Sequence, residues 1–398
     1  MNAESAKAVD LPYNGRMLRW AREWRGRTVE EAAAKLKIEP TDVHDWENGR
    51  AKPTVRQARE LAAFYGRQFL EFFYADAPAI DQSKMIPDYR VHRGAPDPKE
   101  DREILEIQHW AEAQRLNALD LYEELGDEPP TFPADLIATI DDDVEELAER
   151  VRIRFEFPLQ QQQRIPKAKA YNIPSLLRAK MEALGVLVLK DNSLADYRVS
   201  GFTIVQFPMP LVVYTAEAPA RQSFTLMHEF AHILLRETAI SGTNFIRDAR
   251  TRERKVERWC DQFAAAFLMP RSALVELRGE PSAPQPFISD AALYELANVF
   301  RVSAHAMLIR LVGLGYVDDD YYWSVKLPIF RREEEQFRRF GRSRYWAQRI
   351  VNKLGDTYTG LVLEAWGTGR IPFHQAADFM GLSNPAHLPV IRQEFGGA

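Results

Sequence analysis

Cysteine is nearly missing from this sequence: Cys260 is the one such residue in 398. That excludes an intrachain disulfide framework and leaves a thiolate-rich zinc site without ligands. Long apolar runs are missing too, since none approaches the roughly 20 residues that span a bilayer. The opening stretch MNAESAKAVDLPYNGR has no basic start followed by an apolar segment, so it carries no sign of a secretion signal. Together these absences set the expectation of a cytoplasmic chain with no membrane contact. An excess of positive charge is also lacking, as 52 Lys and Arg against 57 Asp and Glu leave a net charge of −5. The chain is therefore no polycation drawn to nucleic acid by charge alone, and any DNA contact must be local.

What is present suffices for several cores. Hydrophobic residues make up 46% of a chain longer than one usual domain, so two or three compact units are expected. The residues from about Asn14 to Tyr74 read as short helices. Met17, Leu18 and Ala21 form one apolar stripe, and a turn follows at Arg25-Gly26-Arg27. Thr28, with Glu31 three residues on, predicts a capping box for a helix carrying Ala32, Ala33 and Leu36. Pro40 suits the first turn of a third helix, and Asn48-Gly49-Arg50 stops it. Pro53 and Thr54 introduce a fourth, with Ala58, Leu61 and Ala62 on one side.

Farther on, 87–94 reads as a loop and 99–125 as a helix that Pro129 and Pro130 end. Another helix is expected after Thr139, with Asp141, Asp142 and Asp143 in its first turn. Strands are predicted over 184–189, 201–207 and 211–215, just before the segment with the clearest chemistry. The Pro- and Gly-containing stretch 279–286 is the clearest loop, and the remainder reads as helical.

The central segment contains His228-Glu229-Phe230-Ala231-His232. Residues four apart share a helix face, so both imidazoles can reach one metal ion, with Glu229 beside them to take a proton from water. Neutral imidazole suits Zn2+, and zinc makes a water acidic enough to attack a carbonyl near neutral pH. The bland alternative is two histidines on a helix face beside a solvated glutamate. It is weakened by Phe224, Leu226, Phe230, Ile233 and Leu234, because a helix so apolar is buried and its polar side chains need partners. A three-ligand site needs one more residue, and with no histidine following until His305 a carboxylate is to be considered. Glu253 and Glu257 both qualify by spacing, and ion pairing with Arg254 or Arg258 is the ordinary role for either. Asp261 lies four residues beyond Glu257 and could accept the second ring proton of a liganding histidine.

Two stretches carry a resemblance. One is Arg221-Gln222-Ser223-Phe224-Thr225-Leu226-Met227-His228-Glu229-Phe230-Ala231-His232, and the other runs from Val256-Glu257-Arg258-Trp259-Cys260-Asp261 to Leu268-Met269-Pro270. In these the chain resembles the ImmA/IrrE family of metallopeptidases, and the likeness extends back to Gly201-Phe202 and on through 300–311. The resemblance implies a zincin-like α+β core, peptide-bond hydrolysis, and Glu257 as third zinc ligand beside His228 and His232. Asp261 stands where asparagine is more usual in the family. Family members cut transcriptional repressors or antitoxins and act in stress-linked regulation, so a repressor or antitoxin is the implied substrate. Zinc would hold the attacking water, and Glu229 would take its proton and return it to the leaving amine. Tyr171, Tyr214, Arg221 and His305 stand as unranked candidates for a second oxyanion donor.

The N-terminal residues resemble an Xre-type helix-turn-helix, which implies double-stranded DNA as a partner. Arg16, Arg19, Arg22, Arg25, Arg27, Arg50 and Lys52 could meet phosphates. Thr41 and His44 are the candidate base readers, although Glu39, Asp42, Asp45 and Glu47 would face a polyanion badly if outward. Docking a protein, whether a substrate or a second copy in a homodimer, is the competing use. The aromatic tail Phe64, Tyr65, Phe69, Phe72, Phe73 and Tyr74 is expected to join this module to the peptidase core. Arginines from Arg331 to Arg349 are interrupted by Glu333, Glu334 and Glu335, which favours internal pairing over nucleic acid.

The expected architecture is multidomain and mainly α. It comprises a helix-turn-helix domain over 1–75, a helical linker over 76–150, an α+β peptidase core over 151–285 and a C-terminal helical domain over 286–398. The leading function is a zinc metallo-endopeptidase. Its rival is a transcriptional regulator or partner-binding protein with a structural or sensory metal site and no protease activity.

Overall fold

In the computed structural model, the residues described are 12–65, 67, 69–75, 98–242, 251–330, 332, 345–382 and 384–396. The expected loop at 87–94 and most of the arginine-rich stretch lie outside them. The described residues divide into two compact units, one within Met1–Met85 and Asp97–Trp110, the other within Ile86–Pro96 and Ala111–Ala398.

The first unit is helical. Helix α1 (Gly15–Trp24) starts where the Asn14 side chain accepts from the Arg16 amide, and it buries Met17, Leu18, Trp20 and Ala21. The turn after it places Gly26 at φ +64°, a conformation glycine adopts without strain. Helix α2 (Val29–Leu36) has the expected capping box, with Thr28 and Glu31 satisfying each other's amides. Helix α3 (Pro40–Glu47) begins on its proline. Helix α4 (Val55–Tyr65) sends Ala58, Leu61 and Ala62 into the shared core. The aromatic tail differs from expectation: Tyr65 and Phe72 fill this unit's own core, and Phe64 and Phe69 pack against it. Helix α5 (Pro98–Leu125) follows, and the division between units falls within it, after Trp110.

The second unit opens with α6 (Val144–Arg154), α7 (Leu159–Arg164) and α8 (Ile173–Glu182). Helix α6 starts later than expected. Asp142 accepts from the Thr139 amide and Asp143 caps the helix, so Glu145 and Glu146, not the aspartates, occupy the first turn. Four short strands form one mixed sheet in the order β1 (Leu187–Lys190), β3 (Leu211–Tyr214), β2 (Val199–Ile204), β4 (Ala239–Gly242). β1 and β3 are parallel, whereas β2 runs antiparallel to β3 and β4. The three expected strands are present with shifted ends; β4 was not anticipated.

Helix α9 (Pro219–Leu234) packs on β2, β3 and α8, and α10 (Arg252–Leu268) packs on α9 and α6. Every residue from Thr225 to Leu234 is buried, as a helix enclosed on all sides requires. The end of α10 is held by buried donors from other elements. Arg152 donates to the Phe267 carbonyl, Gln162 to that of Leu268, and Arg310 to that of Met269. These groups satisfy carbonyls that a helix terminus leaves unpaired, and both cations suit its negative end.

Helices α11 (Arg271–Arg278), α12 (Asp290–Phe300) and α13 (Ala304–Gly313) follow, and all three contribute to the same hydrophobic core as α9 and α10. The helical remainder comprises α14 (Trp346–Leu354), α15 (Asp356–Gly367), α16 (Phe373–Phe379) and α17 (Leu388–Phe395). The molecule is thus mainly helical, with one small sheet behind the helix that carries the histidine pair. Among the described residues no single helix is long and apolar enough to cross a membrane.

Candidate metal centre

Helix α9 places His228 and His232 one turn apart on one face, and their Nε2 atoms lie 3.3 Å from each other. From α10, Glu257 closes the triangle, with Oε2 3.3 Å from His228 Nε2 and Oε1 3.1 Å from His232 Nε2. All three residues are buried, and together they could hold a metal ion. Ligands at about 2.0–2.1 Å around a tetrahedral divalent ion stand about 3.4 Å apart. The three contacts are close to that spacing, with Glu257 meeting the two rings through different oxygens. Glu253 lies in the first turn of α10 and is fully exposed, so it is not part of this cluster.

Electrostatics favours a cation in the same place. The Asp261 carboxylate lies 2.9 Å from His228 Nδ1, which puts the ring proton on Nδ1 and turns the Nε2 lone pair toward Glu257 and His232. Burial disfavours a charged His228, yet Glu257 and Asp261 more than offset it and raise its pKa well above the ordinary histidine value. Burial likewise works against Glu257, but the two imidazoles hold its carboxyl down to about 2. The cluster thus draws positive charge to His228 Nε2, where a proton or a metal ion would meet it.

The Glu229 side chain meets the sheet through Thr203 and lies within electrostatic reach of both histidines and Glu257. Its Oε2 accepts a hydrogen bond of 2.7 Å from Thr203 Oγ1 on β2. Its Oε1 is buried and has no hydrogen-bond partner among the described residues. Burial pushes this carboxyl up, partly offset by the two histidines and Thr203. Gly201, two residues before Thr203, makes room for it. A Cβ built there would sit 2.8 Å from Glu229 Oε1 and 2.9 Å from the Val213 carbonyl.

Sequence comparison adds to the geometry. Residues 181–312 match the model of the peptidase M78 family, described as the IrrE N-terminal-like domain. The chain carries an IrrE N-terminal-like domain. It includes the whole sheet, α9 and α10, and it continues through most of α13. Residues 15–68 match a helix-turn-helix domain, which covers α1 to α4. The radiation response metalloprotease IrrE of Deinococcus radiodurans is 33% identical over 103 residues, which is 25% of this chain and 30% of that protein. The match therefore spans less than a third of that relative's length. An IrrE-like metallopeptidase domain implies a metal cofactor, and the His228, His232 and Glu257 cluster fits one.

Thr203 and Gly201 escaped the reading of the sequence as site residues, as did Glu217. Glu217 accepts from Ser200 and Thr225 and pairs with Arg221 at 2.9 Å, tying the start of α9 to β2. Strand pairing brings Thr203 and Gly201 to Glu229, and no spacing rule reports it. The four candidate oxyanion donors are scattered in role. Arg221 is held by Glu217, His305 bonds the Tyr322 hydroxyl at 3.0 Å, Tyr214 is buried at the end of β3, and Tyr171 is 60% exposed.

In the helix-turn-helix, Thr41 and His44 are exposed on α3, and Arg50 and Lys52 are exposed beyond it. Arg50 is 3.4 Å from Asp45. Arg27 is engaged inside its own unit, 2.6 Å from Glu106 and with its guanidinium over the Phe64 ring. Glu47 does not face outward with Glu39 and Asp42. It is buried, bonded by Arg22 at 2.6 and 2.9 Å, so the outer face of α3 is less acidic than the sequence suggests.

Proposed function

We propose that this protein is a zinc-dependent endopeptidase that cleaves a regulatory protein, such as a repressor or antitoxin. The observation that carries the proposal is the meeting of two imidazoles and a carboxylate at 3.1–3.3 Å, with Glu229 on the same helix. His228, His232 and Glu257 would hold the ion, and Asp261 fixes the His228 ring in the tautomer that offers Nε2. A zinc ion held there supplies Lewis acidity, which makes water more acidic and polarises a substrate carbonyl. Glu229 Oε1 takes the proton that the attacking water gives up and returns it to the leaving amine. The helix-turn-helix supplies the second half of the proposal: it binds double-stranded DNA, with Thr41 and His44 toward base edges and Arg50 and Lys52 toward phosphates.

The test compares the parent with Glu229→Gln, which keeps the ligands and removes the proton acceptor. Proteins cleaved in cells expressing each form are compared by mass spectrometry of new N-termini. Cleavage products should appear with the parent and be absent with the variant, while metal content stays equal. Identical cleavage by both forms contradicts the assigned chemistry, and cleavage by neither favours a metal site that serves structure or sensing.

A further inference from the structure

We infer that Thr203 is a positioning residue for Glu229: its hydroxyl holds Oε2, so that Oε1 alone takes up and returns the proton during hydrolysis. The inference rests on the metallopeptidase reading and assigns a task to a residue outside the metal-binding motif.

Thr203 Oγ1 lies 2.7 Å from Glu229 Oε2 and 3.1 Å from the Glu229 carbonyl oxygen. Both are acceptors, and a threonine hydroxyl has one hydrogen to give. With the carboxylate ionised, that hydrogen goes to the nearer and charged oxygen, since charge-assisted bonds are the stronger ones. Oε2 is then occupied by a donor. Oε1, which has no hydrogen-bond partner among the described residues, is the oxygen left to receive a proton.

Placement follows from the strand. Thr203 and Gly201 are two apart on β2, so they share one face of the sheet, the face that α9 covers. Thr203 is fully buried, which shields its hydroxyl from competition by solvent. At Gly201 a methyl group would come within 3.0 Å of both Oε1 and Cγ of Glu229. One residue therefore tethers the carboxylate by one oxygen, and the other leaves the second oxygen room. A proton placed on Oε1 stays on the atom that must give it back, because the hydrogen bond from Thr203 opposes its transfer to Oε2.

The decisive measurement is the position of the Glu229 carboxylate in crystals of the full-length, zinc-loaded protein, as parent, Thr203→Val and Thr203→Ser. Valine is expected to free the carboxylate, which leaves its parent position or loses a single ordered conformation; serine, which keeps the hydroxyl, restores it. Zinc content should be equal in all three. If Glu229 in Thr203→Val superposes on the parent, the inference is overturned. Thr203→Ala serves the same purpose if the valine form does not fold. A fluorescence-quenched random peptide library, used as substrate, separates this inference from the reading beneath it. Valine should lower kcat about 10–100-fold with KM little changed, the range for outer hydrogen-bond partners of metal sites. Glu229→Gln that cleaves the library like the parent overturns the peptidase chemistry itself. Inert Glu229→Gln beside a fully active Thr203→Val overturns only the role of Thr203.

Discussion

At the residue scale, His228 and His232 were legible because a four-residue spacing on a helix is a local matter that sequence states directly. Asp261 and Glu257 were legible for the same reason, with the resemblance choosing Glu257 over Glu253. Thr203 was not, because its approach to Glu229 depends on which way β2 faces when it pairs with β3. The inward turn of Glu47 was also hidden, since its partner Arg22 comes from another helix. Substituting His232 by alanine removes one of the three proposed ligands, and the variant should copurify with far less zinc than the parent by elemental analysis. Gly201→Ala should retain zinc, because the atoms nearest the added methyl belong to Glu229 and Val213, yet lose hydrolysis as that methyl displaces Glu229. Glu47→Gln removes the closer, buried counter-charge of Arg22 and leaves only the more exposed Glu23 at 3.6 Å. Breaking such a pair costs about 3–5 kcal/mol, to be read as a lowered unfolding transition of the first unit.

At the scale of elements, helix starts with side-chain caps were well marked. Thr28 and Glu31 announced α2, and Thr28→Ala should cost about 0.5–2 kcal/mol of that unit's stability in denaturant unfolding. The start of α6 was misplaced because three consecutive aspartates offer the backbone several competing local hydrogen bonds, and Asp142 and Asp143 each take a different one. β4 went unseen because Ala239-Ile240-Ser241-Gly242 has little strand character of its own and owes its form to β2.

Helix α5 adds a pH dependence that composition could not suggest. His109 stacks on Trp24 with ring centres 3.9 Å apart, and burial, helped by Arg25 and Arg67, lowers its pKa to about 4. A histidine depressed on folding binds fewer protons when folded than unfolded between those values. Its contribution is complete above the unfolded pKa of about 6.5 and is lost as pH falls toward 4. The first unit should therefore lose stability over that window, and His109→Phe should flatten the loss in melts run from pH 7 to pH 4.

At the scale of the molecule, the chain joins a helix-turn-helix to an IrrE-like domain, and each has its own core. Both were readable, since capping, apolar spacing and the histidine motif are local signals, whereas the distribution of aromatic residues between the cores was not. The two cores should respond differently to metal removal. A ligand that binds only the folded form stabilises it by about 4 kcal/mol at about a thousandfold excess over its Kd. Chelation should therefore lower the unfolding transition of the second unit and leave that of the first in place, as followed by calorimetry.

The central claim is tested most directly by anomalous diffraction at the zinc edge from crystals of the full-length protein. The account predicts one ion bonded at about 2 Å to His228 Nε2, His232 Nε2 and a Glu257 oxygen, with a coordination position open to solvent. An ion bound elsewhere, or sealed at this site by a fourth protein ligand, would contradict it.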